Sequence, residues 1–257
     1  MRRRPLLLAP VLRLAPAVAL PWALPARALP PRPLVFPRDH GAHPDFRTEW
    51  WYATGELRGD GGRTLGFQVT FFRSRVDGTQ GMRSALAARQ LIFAHAAVTD
   101  LAATRLWHDQ RIARQGLGIA EADLADTRLR LRNWTLVREP DGSYRARIPA
   151  DGFQLELVLT PTQPLLLQGQ QGLSRKGPDA DQASYYYTQP QLAVRGRVTI
   201  GREAQTVHQA MEAIHTQAFK ATRHRPVRHR FLHRQARADF TTSAPIPHAA
   251  LLDSRWI

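Results

Sequence analysis

A phenylalanine and three leucines occupy every second position of "FQLELVLT", which runs from Phe153 to Thr160. Apolar residues at every second position are typical of a β-strand with one buried face. Similar segments recur along the chain and are separated by turns such as "GDGG" and "PDG". Regularly spaced antiparallel strands of this kind form a sandwich or a barrel. Aromatic residues on both faces of several segments favour the barrel, with an interior and an outer packing face.

The segment "EWWYATGELR" places two tryptophans side by side in the first predicted strand. Adjacent strand residues point to opposite faces, so both indoles cannot enter one core. We predict that Trp51 points inward with Ala53 and Leu57, and that Trp50 points outward with Tyr52. The turn "GDGG" then predicts a hairpin into "TLGFQVTFFRSR".

Two segments are less regular. In "LRLRNWTLV" the alternation runs through Leu129 and Leu131 and resumes out of phase at Trp134 and Leu136, which predicts a β-bulge. The segment "GLGIAEADLADT" is predicted to be a helix or a long loop.

The formal net charge of +15 is concentrated at the two ends of the chain. Residues 1–28 carry five arginines and no acid, and residues 206–257 carry eight Lys/Arg against three acids. The residues between them hold 23 bases and 18 acids, interspersed as on an ordinary solvated surface. No basic stripe with interleaved aromatic residues is present, so we do not expect nucleic acid as a partner. The absence of cysteine excludes disulfides and thiolate metal sites.

The N-terminus has the pattern of an export signal. "MRRR" is followed by an apolar stretch that Arg13 and several prolines interrupt, and Ala26-Arg27-Ala28 forms a cleavage motif. We therefore predict a cleaved signal peptide over residues 1–28, a mature chain without a transmembrane span, and a periplasmic or secreted location. The alternative is a disordered leader rich in proline and alanine. Residues 29–44 are predicted to be an extended linker.

Five segments with uncommon residue pairings follow one another between Phe36 and Glu203: "FPRDHGAHPDFRTEWWYATGEL", "GFQVTFFRSR", "RQLIFAHAAVTD", "PLLLQGQQGLSRKG" and "ASYYYTQPQLAVRGRV". Together they resemble the first of the two lipocalin-like halves of the AttH and carotenoid 1,2-hydratase family. The resemblance implies an all-β fold, an antiparallel lipocalin-like β-barrel around an apolar ligand space, which we assign to residues 45–205. It also implies export for many members. Some members are described as secreted hydrolases, some as parts of an ABC transport system, and the best defined hydrate carotenoid double bonds.

Residues 206–257 depart from the family. Members of the family continue with an Ala-Trp-x-Asp-His-Glu-Trp-like motif and a second barrel, which supplies the His-x-Trp and Tyr-x-Asp groups of the hydratases. Here the segment holds six of the ten histidines, one tryptophan and no alternating run. We expect a basic, His-rich tail, disordered or irregular, that is a degenerate or frame-shifted end. The family's catalytic half would then be missing, which leaves enzyme activity uncertain.

Water addition to an alkene needs a proton donor and a site that stabilises a carbocation. Glu49, His43 and His95 are the candidate catalytic residues. Glu49 lies next to two indoles and needs a partner such as Arg73 or Lys176, since otherwise burial would raise its pKa. It is therefore either half of a structural ion pair or a site acid. His95 is either a hydrogen-bonded core histidine or catalytic.

The candidate ligand-binding residues are aromatic or basic side chains of the resembling segments. They are Trp50, Trp51, Tyr52, Phe71, Arg73, Lys176, Tyr185, Tyr186 and Tyr187. For each aromatic residue the alternative role is packing.

No metal or other cofactor is predicted. His40 and His43 lie close to Asp39 and Asp45 in sequence, but the set lacks a third committed ligand.

Three classes of function remain open. The barrel is an exported protein that binds an apolar isoprenoid or lipid-like small molecule, in one version as an accessory component of an ABC transporter. Alternatively it is an active hydratase or hydrolase, or it is the inactive product of a broken gene.

Overall fold

The computed structural model describes residues 29–59, 62–178 and 182–220, and for residues 208–220 the backbone alone. These residues form an all-β fold whose main path is a nearly closed antiparallel barrel of eleven strands. The strands are β1 (Thr48–Gly59), β2 (Thr64–Arg75), β3 (Gln90–Asp100), β4 (Arg105–Arg114), β5 (Ala120–Ala122), β6 (Arg128–Leu131), β7 (Trp134–Arg138), β8 (Tyr144–Pro149), β9 (Phe153–Pro161), β10 (Leu166–Leu167), β11 (Leu173–Arg175), β12 (Ala183–Gln189), β13 (Leu192–Ile200) and β14 (Glu203–Lys220). The predicted antiparallel barrel is confirmed.

The strand order is β4-β3-β2-β1-β14-β13-β9-β8-β7-β6-β5. The long strand β14 pairs with β1 along one edge, and with β13 and then β12 along the other. Strand β12 also pairs with β10 and β11, so these three strands form a branch beside the main path. The hairpin predicted at "GDGG" is β1–β2, and β3 and β4 form a second antiparallel pair.

The first strand has the predicted phase. Trp51, Ala53 and Leu57 belong to the main hydrophobic core, and Trp50 does not. Tyr52 is partly exposed on the same face as Trp50. The prediction that Trp51 points inward and Trp50 outward is therefore confirmed.

The barrel interior is filled by large side chains. Trp51, Phe71, Leu131, Trp134 and Tyr144 each have 0% of their surface exposed. A void that admitted a water molecule beside any of them would give it accessible surface, so these five residues line no such void. A small barrel is commonly filled in this way, because inward aromatic side chains span its interior. The expected ligand space is not found next to these residues.

The predicted β-bulge was wrong. The phase slip near Leu131 is a tight turn between β6 and β7, in which Leu131 pairs with Trp134 and Arg132 has a φ of 57°. A turn and a bulge both shift the phase of the alternation along the sequence. A turn also reverses the chain, so the two segments become neighbouring strands. The segment predicted to be a helix or a long loop is mostly loop and turn, and the three-residue strand β5 lies within it.

Residues 29–47, called the N-terminal segment below, pack against the barrel. Leu29 is buried, and a short 3-10 helix at Arg38–His40 is followed by the buried residue His43. The range predicted to be a linker, 29–44, is thus part of the folded unit. In the part of the chain that the structure describes, no helix is long and apolar enough to cross a membrane.

Strand β14 crosses the boundary that we predicted after residue 205. Its backbone pairs with β1 from Val207 to Lys220, so residues 206–220 belong to the sheet. The unpaired edge of β1 supplies the hydrogen-bonding partners, which the side-chain pattern of the tail did not reveal. The predicted signal peptide and residues 221–257 lie outside the described residues.

Candidate functional site

A buried network of charged side chains lies where β1 begins and β2 ends. Glu49 and Arg73 are directly opposite each other in the β1–β2 register, and both side chains are almost fully buried. Arg73 Nε donates to Glu49 Oε2. Its other nitrogens donate to Gln90 Oε1 at 2.6 Å and to the carbonyl of Phe46 at 2.6 Å. Of the two partners proposed for Glu49, the structure therefore selects Arg73, while Lys176 Nζ lies 4.1 Å from the centre of the Tyr186 ring.

His43 lies between two carboxylates. Its Nδ1 is 2.8 Å from Glu49 Oε1, and its Nε2 is 2.7 Å from Asp39 Oδ1. The backbone N–H of His43 also donates to both oxygens of Glu49, at 2.9 Å each. Both ring nitrogens can donate only when the imidazole is protonated. The arrangement therefore favours an imidazolium.

Asp39 joins this network to the start of the N-terminal segment. Arg32 donates to its two oxygens at 2.9 and 3.0 Å, a bidentate pair. The backbone N–H of Val35 donates to Asp39 Oδ2 at 2.5 Å. Asp39 thus holds both the segment before it and His43 after it.

The network shifts the pKa values of its members in opposite directions. Burial alone would lower the pKa of His43, but the hydrogen bonds to Asp39 and Glu49 outweigh burial and raise it above its usual value. Arg38, whose Nη1 is 3.0 Å from His43 Nε2, opposes this increase. Burial alone would raise the pKa of Asp39, but the hydrogen bonds from His43 and Arg32 hold it well below its usual value. The hydrogen bonds therefore favour the charged forms of both Asp39 and His43.

A second buried pair lies next to this network. His40 Nδ1 is 2.7 Å from the hydroxyl of Tyr187. Burial, together with the positive charge of Arg138, lowers the pKa of His40 to about 4, while burial raises the pKa of Tyr187. Tyr187 therefore donates to a neutral His40 near neutral pH. The carbonyl of His40 accepts hydrogen bonds from Trp51 Nε1 at 3.1 Å and from Thr127 Oγ1 at 2.9 Å.

These contacts indicate a structural role for Glu49, Asp39 and His43. Each oxygen of Glu49 and Asp39 accepts hydrogen bonds from neighbouring residues, and both ring nitrogens of His43 face carboxylates. A general acid needs a proton that it can transfer to a substrate within hydrogen-bonding distance. Glu49 has none of its surface exposed, and His43 is also buried. The geometry thus favours the structural ion pair that the sequence left open for Glu49.

The outer face of the barrel carries a different group of residues. Tyr186 of β12 and Trp50 of β1 both pair with position 218 of β14, one on each side. On its other side, Trp50 pairs with Phe72 of β2, and Phe72 pairs in turn with Phe93 of β3. We call Tyr186, Trp50, Phe72 and Phe93 the outer aromatic row. Phe72 and Phe93 are stacked, with ring centres 4.5 Å apart and planes 8° from parallel. Phe72, Phe93 and Tyr186 are half-buried, and Ile112 continues the row on β4 with 62% of its surface exposed.

Two polar groups lie on or beside the row. The hydroxyls of Tyr52 and Tyr186 are 3.5 Å apart. The indole N–H of Trp50 is buried and has no hydrogen-bond acceptor among the residues that the structure describes. Trp50 therefore contributes its ring and makes no polar contact there.

The structure divides the predicted ligand-binding residues between two faces. Trp51, Phe71, Arg73, Tyr185 and Tyr187 are almost fully buried, either in the core or beneath the N-terminal segment. The others, Trp50, Tyr52, Lys176 and Tyr186, lie on or beside the outer aromatic row. A role in ligand binding stays a prediction for all of them.

His95 was predicted to be either a hydrogen-bonded core histidine or a catalytic residue. The prediction that it lies in the core was wrong. It is exposed on the outer face of β3, and its ring centre is 5.5 Å from that of Phe72. The neighbouring residues Ala94 and Ala96 face the core instead. The strand phase puts His95 on the face opposite to Glu49, so the structure does not bring these two catalytic candidates together.

The described residues contain no group of three or more His, Cys, Asp and Glu side chains that could hold a metal ion. Asp39 and His43 are engaged with each other, and Asp45 is fully exposed near Arg75. Sequence reasoning missed the His40–Tyr187 pair. Strand alternation places Tyr187 inward, but nothing in the sequence aligned it with a residue so far away.

A family model described as AttH-like matches residues 27–210. The chain belongs to the AttH-like family. A crystal structure of a protein from Nitrosomonas europaea described as an AttH is similar over 77% of this chain, with 46% sequence identity and a TM-score of 0.69. The resemblance seen in the sequence is thereby confirmed. No curated protein matches the chain.

The kievitone hydratase of Nectria haematococca has the same fold. Its crystal structure aligns with 73% of this chain at a TM-score of 0.57 and 10% identity. This AttH-like chain spans 59% of the Nitrosomonas protein and 52% of the hydratase. An identity of 10% to the hydratase establishes a common fold only. Any activity of this AttH-like protein is therefore a matter for proposal.

Proposed function

We propose that this AttH-like protein binds an extended apolar molecule, isoprenoid or lipid-like, along the outer aromatic row. The observation that carries the proposal is the register that aligns the four aromatic residues of the row across β12, β1, β2 and β3, with position 218 of β14 between Tyr186 and Trp50. Neighbouring strands are about 4.8 Å apart, so the row from Tyr186 to Phe93 is about 19 Å long. An apolar chain that lies across the strands can contact the half-buried rings of Tyr186, Phe72 and Phe93, while Trp50, which is 4% exposed, offers it little surface.

The character of the row supports an apolar ligand. Phe72 and Phe93 present stacked rings, and exposed Ile112 extends the row toward β4. Contiguous apolar residues on an exterior face are a common mark of a binding surface. The filled interior is the weaker candidate, because Trp51 and Phe71 would have to move before a ligand could enter.

The test is a titration of the purified chain with retinol, an isoprenoid that accepts excitation energy from tryptophan. We expect Phe72→Ala to weaken binding about tenfold, because the ligand loses contact with one aromatic ring. Leu124→Ala is the matched control, since Leu124 is 53% exposed and lies outside the row. Equal affinity in Phe72→Ala and in the unmodified chain would contradict binding along the row.

We also propose that the protein is exported and that cleavage follows Ala28. The packing of the residues after that position supports this, since Leu29 is buried with Ala183 and Tyr185, and Tyr185 donates to the carbonyl of Pro30. Cleavage there would leave the first mature residue in contact with the fold. Mass spectrometry of the periplasmic fraction should give an N-terminus near Leu29, and an intact Met1 in that fraction would contradict cleavage.

A further inference from the structure

Four exposed arginines form a rectangle on another outer face of the barrel. Arg145 and Arg147 lie on β8, and Arg195 and Arg197 lie on β13. The strand between them places Val158 in line with Arg145 and Arg195, and Glu156 in line with Arg147 and Arg197. We call these four arginines the basic face. From strand spacing and rise, its sides are about 10 Å across the strands and about 7 Å along them.

Alternation explains why the arginines share one side of the sheet. They alternate with buried residues of the core, among them Tyr144, Ala146, Val194 and Val198. Each arginine therefore points away from the interior.

The nearby acids do not neutralise the basic face. Arg145 has Glu139 at 3.1 Å, and Arg147 has Glu156 at 3.8 Å, and all four side chains are partly or largely exposed. Arg195 and Arg197 have no carboxylate within ion-pair distance in the part of the chain that the structure describes. Ion pairs between exposed side chains are weak, so the arginines can exchange partners at little cost in free energy.

A shallow groove runs through the basic face beside Gly196, and Arg147, Glu156 and Arg197 also line it. A Cβ at Gly196 would lie 2.0 Å from the carbonyl oxygen of Glu156, so β13 approaches β9 closely at this point. Arg147 and Arg197 line the groove from the strands on either side of β9. This shape admits a small anionic group between the arginines.

We propose that the basic face binds the anionic headgroups of a phospholipid surface. Four arginines against two acids, Glu139 and Glu156, leave the face with a net positive charge, and the arginines lie on one side of the sheet. Nucleic acid is disfavoured, because Val158 and Glu156 occupy the positions between the arginines where a single-strand binder would place stacking aromatics. The inference goes beyond ligand binding at the outer aromatic row and places the protein where apolar molecules dissolve.

The experiment is co-sedimentation of the full chain with vesicles of equal parts phosphatidylglycerol and phosphatidylcholine. Each arginine near an anionic surface contributes roughly a fivefold factor in affinity. We expect Arg195→Gln/Arg197→Gln to weaken binding roughly 25-fold. Vesicles of phosphatidylcholine alone should bind neither protein, and soluble glycerophosphate should compete poorly because it lacks a surface.

The matched control is Arg58→Gln/Arg83→Gln, which removes the same charge from exposed positions outside the basic face. It should bind within about twofold of the unmodified chain, since attraction to a membrane falls off within a Debye length. It also separates the basic face from the many basic residues beyond position 206. Equal losses in both double variants, or no loss in either, would overturn the proposal, as would equal binding to phosphatidylcholine alone.

Discussion

At the residue scale, the role of Glu49 depends on the groups that surround it. The carboxylate is fully buried and accepts hydrogen bonds from Arg73 and from the backbone and ring of His43. Removing one member of a buried ion pair leaves its partner charged and without compensation. The sequence reduced the choice to an ion pair or a site acid, and the register with Arg73 favours the ion pair.

Glu49→Gln should therefore lower the free energy of unfolding by about 3–5 kcal/mol. Chemical denaturation measures the change. Glu156→Gln is the control, since Glu156 is exposed and 3.8 Å from Arg147, and it should change stability by less than about 0.5 kcal/mol. A Glu49→Gln protein of unchanged stability would refute the structural role.

His40 should make stability depend on pH. Its pKa is about 4 in the folded protein and about 6.5 when unfolded, so the unfolded chain binds more protons between these values. The contribution of neutral His40 to the free energy of unfolding is fully present above pH 6.5 and is lost as the pH falls toward 4. The total loss is about 3 kcal/mol. The raised pKa of His43 acts in the opposite sense, because that contribution is fully present below pH 6.5 and is lost as pH rises through the folded value.

Unfolding of the native chain and of His40→Gln should be compared across this range. The variant should show a flatter dependence between pH 6.5 and 4, because its side chain does not titrate. Parallel curves for the two proteins would contradict the assignment to His40.

At the element scale, the strands were the most predictable part of the protein. The run from Phe153 to Leu159 forms most of β9, with its phenylalanine and leucines buried and the residues between them exposed or partly exposed. Errors arose where side-chain phase alone cannot distinguish two backbone paths, as at the turn before Trp134. A strand that is completed by backbone hydrogen bonds to β1, as β14 is, leaves a weak signal in its side chains.

Gly196 tests how closely β13 and β9 approach each other. Its φ is 151°, and an added Cβ would meet the carbonyl oxygen of Glu156 at 2.0 Å. Gly196→Ala should destabilise the protein by about 1–3 kcal/mol, because the backbone of β9 or β13 must shift. Gly78→Ala is the control, since nothing lies within 4 Å of a Cβ there. Equal melting temperatures for the two variants would show that the strands can separate without cost.

At the scale of the whole molecule, the chain spans 59% of the similar Nitrosomonas protein. We predict little or no hydratase turnover by the purified chain when it is assayed with an acyclic carotenoid, or with simple esters for hydrolase activity. The physical reason is that Glu49 and His43 are buried and engaged with each other. Turnover that Glu49→Gln or His43→Ala abolishes would show that the catalytic site lies in this barrel. A role beside an ABC transporter stays a prediction.

The sequence by itself determined the strand alternation, the phase of Trp50 and Trp51, and the family, because each depends on local periodicity or on motifs in fixed order. It also suggested Arg73 and Lys176 as partners of Glu49, because a carboxylate beside two indoles needs a cation. Only the tertiary structure decided between them, brought His40 to Tyr187, and placed the N-terminal segment over the buried network. These contacts join residues far apart in sequence, and their geometry depends on strand register and barrel closure, which no local pattern specifies.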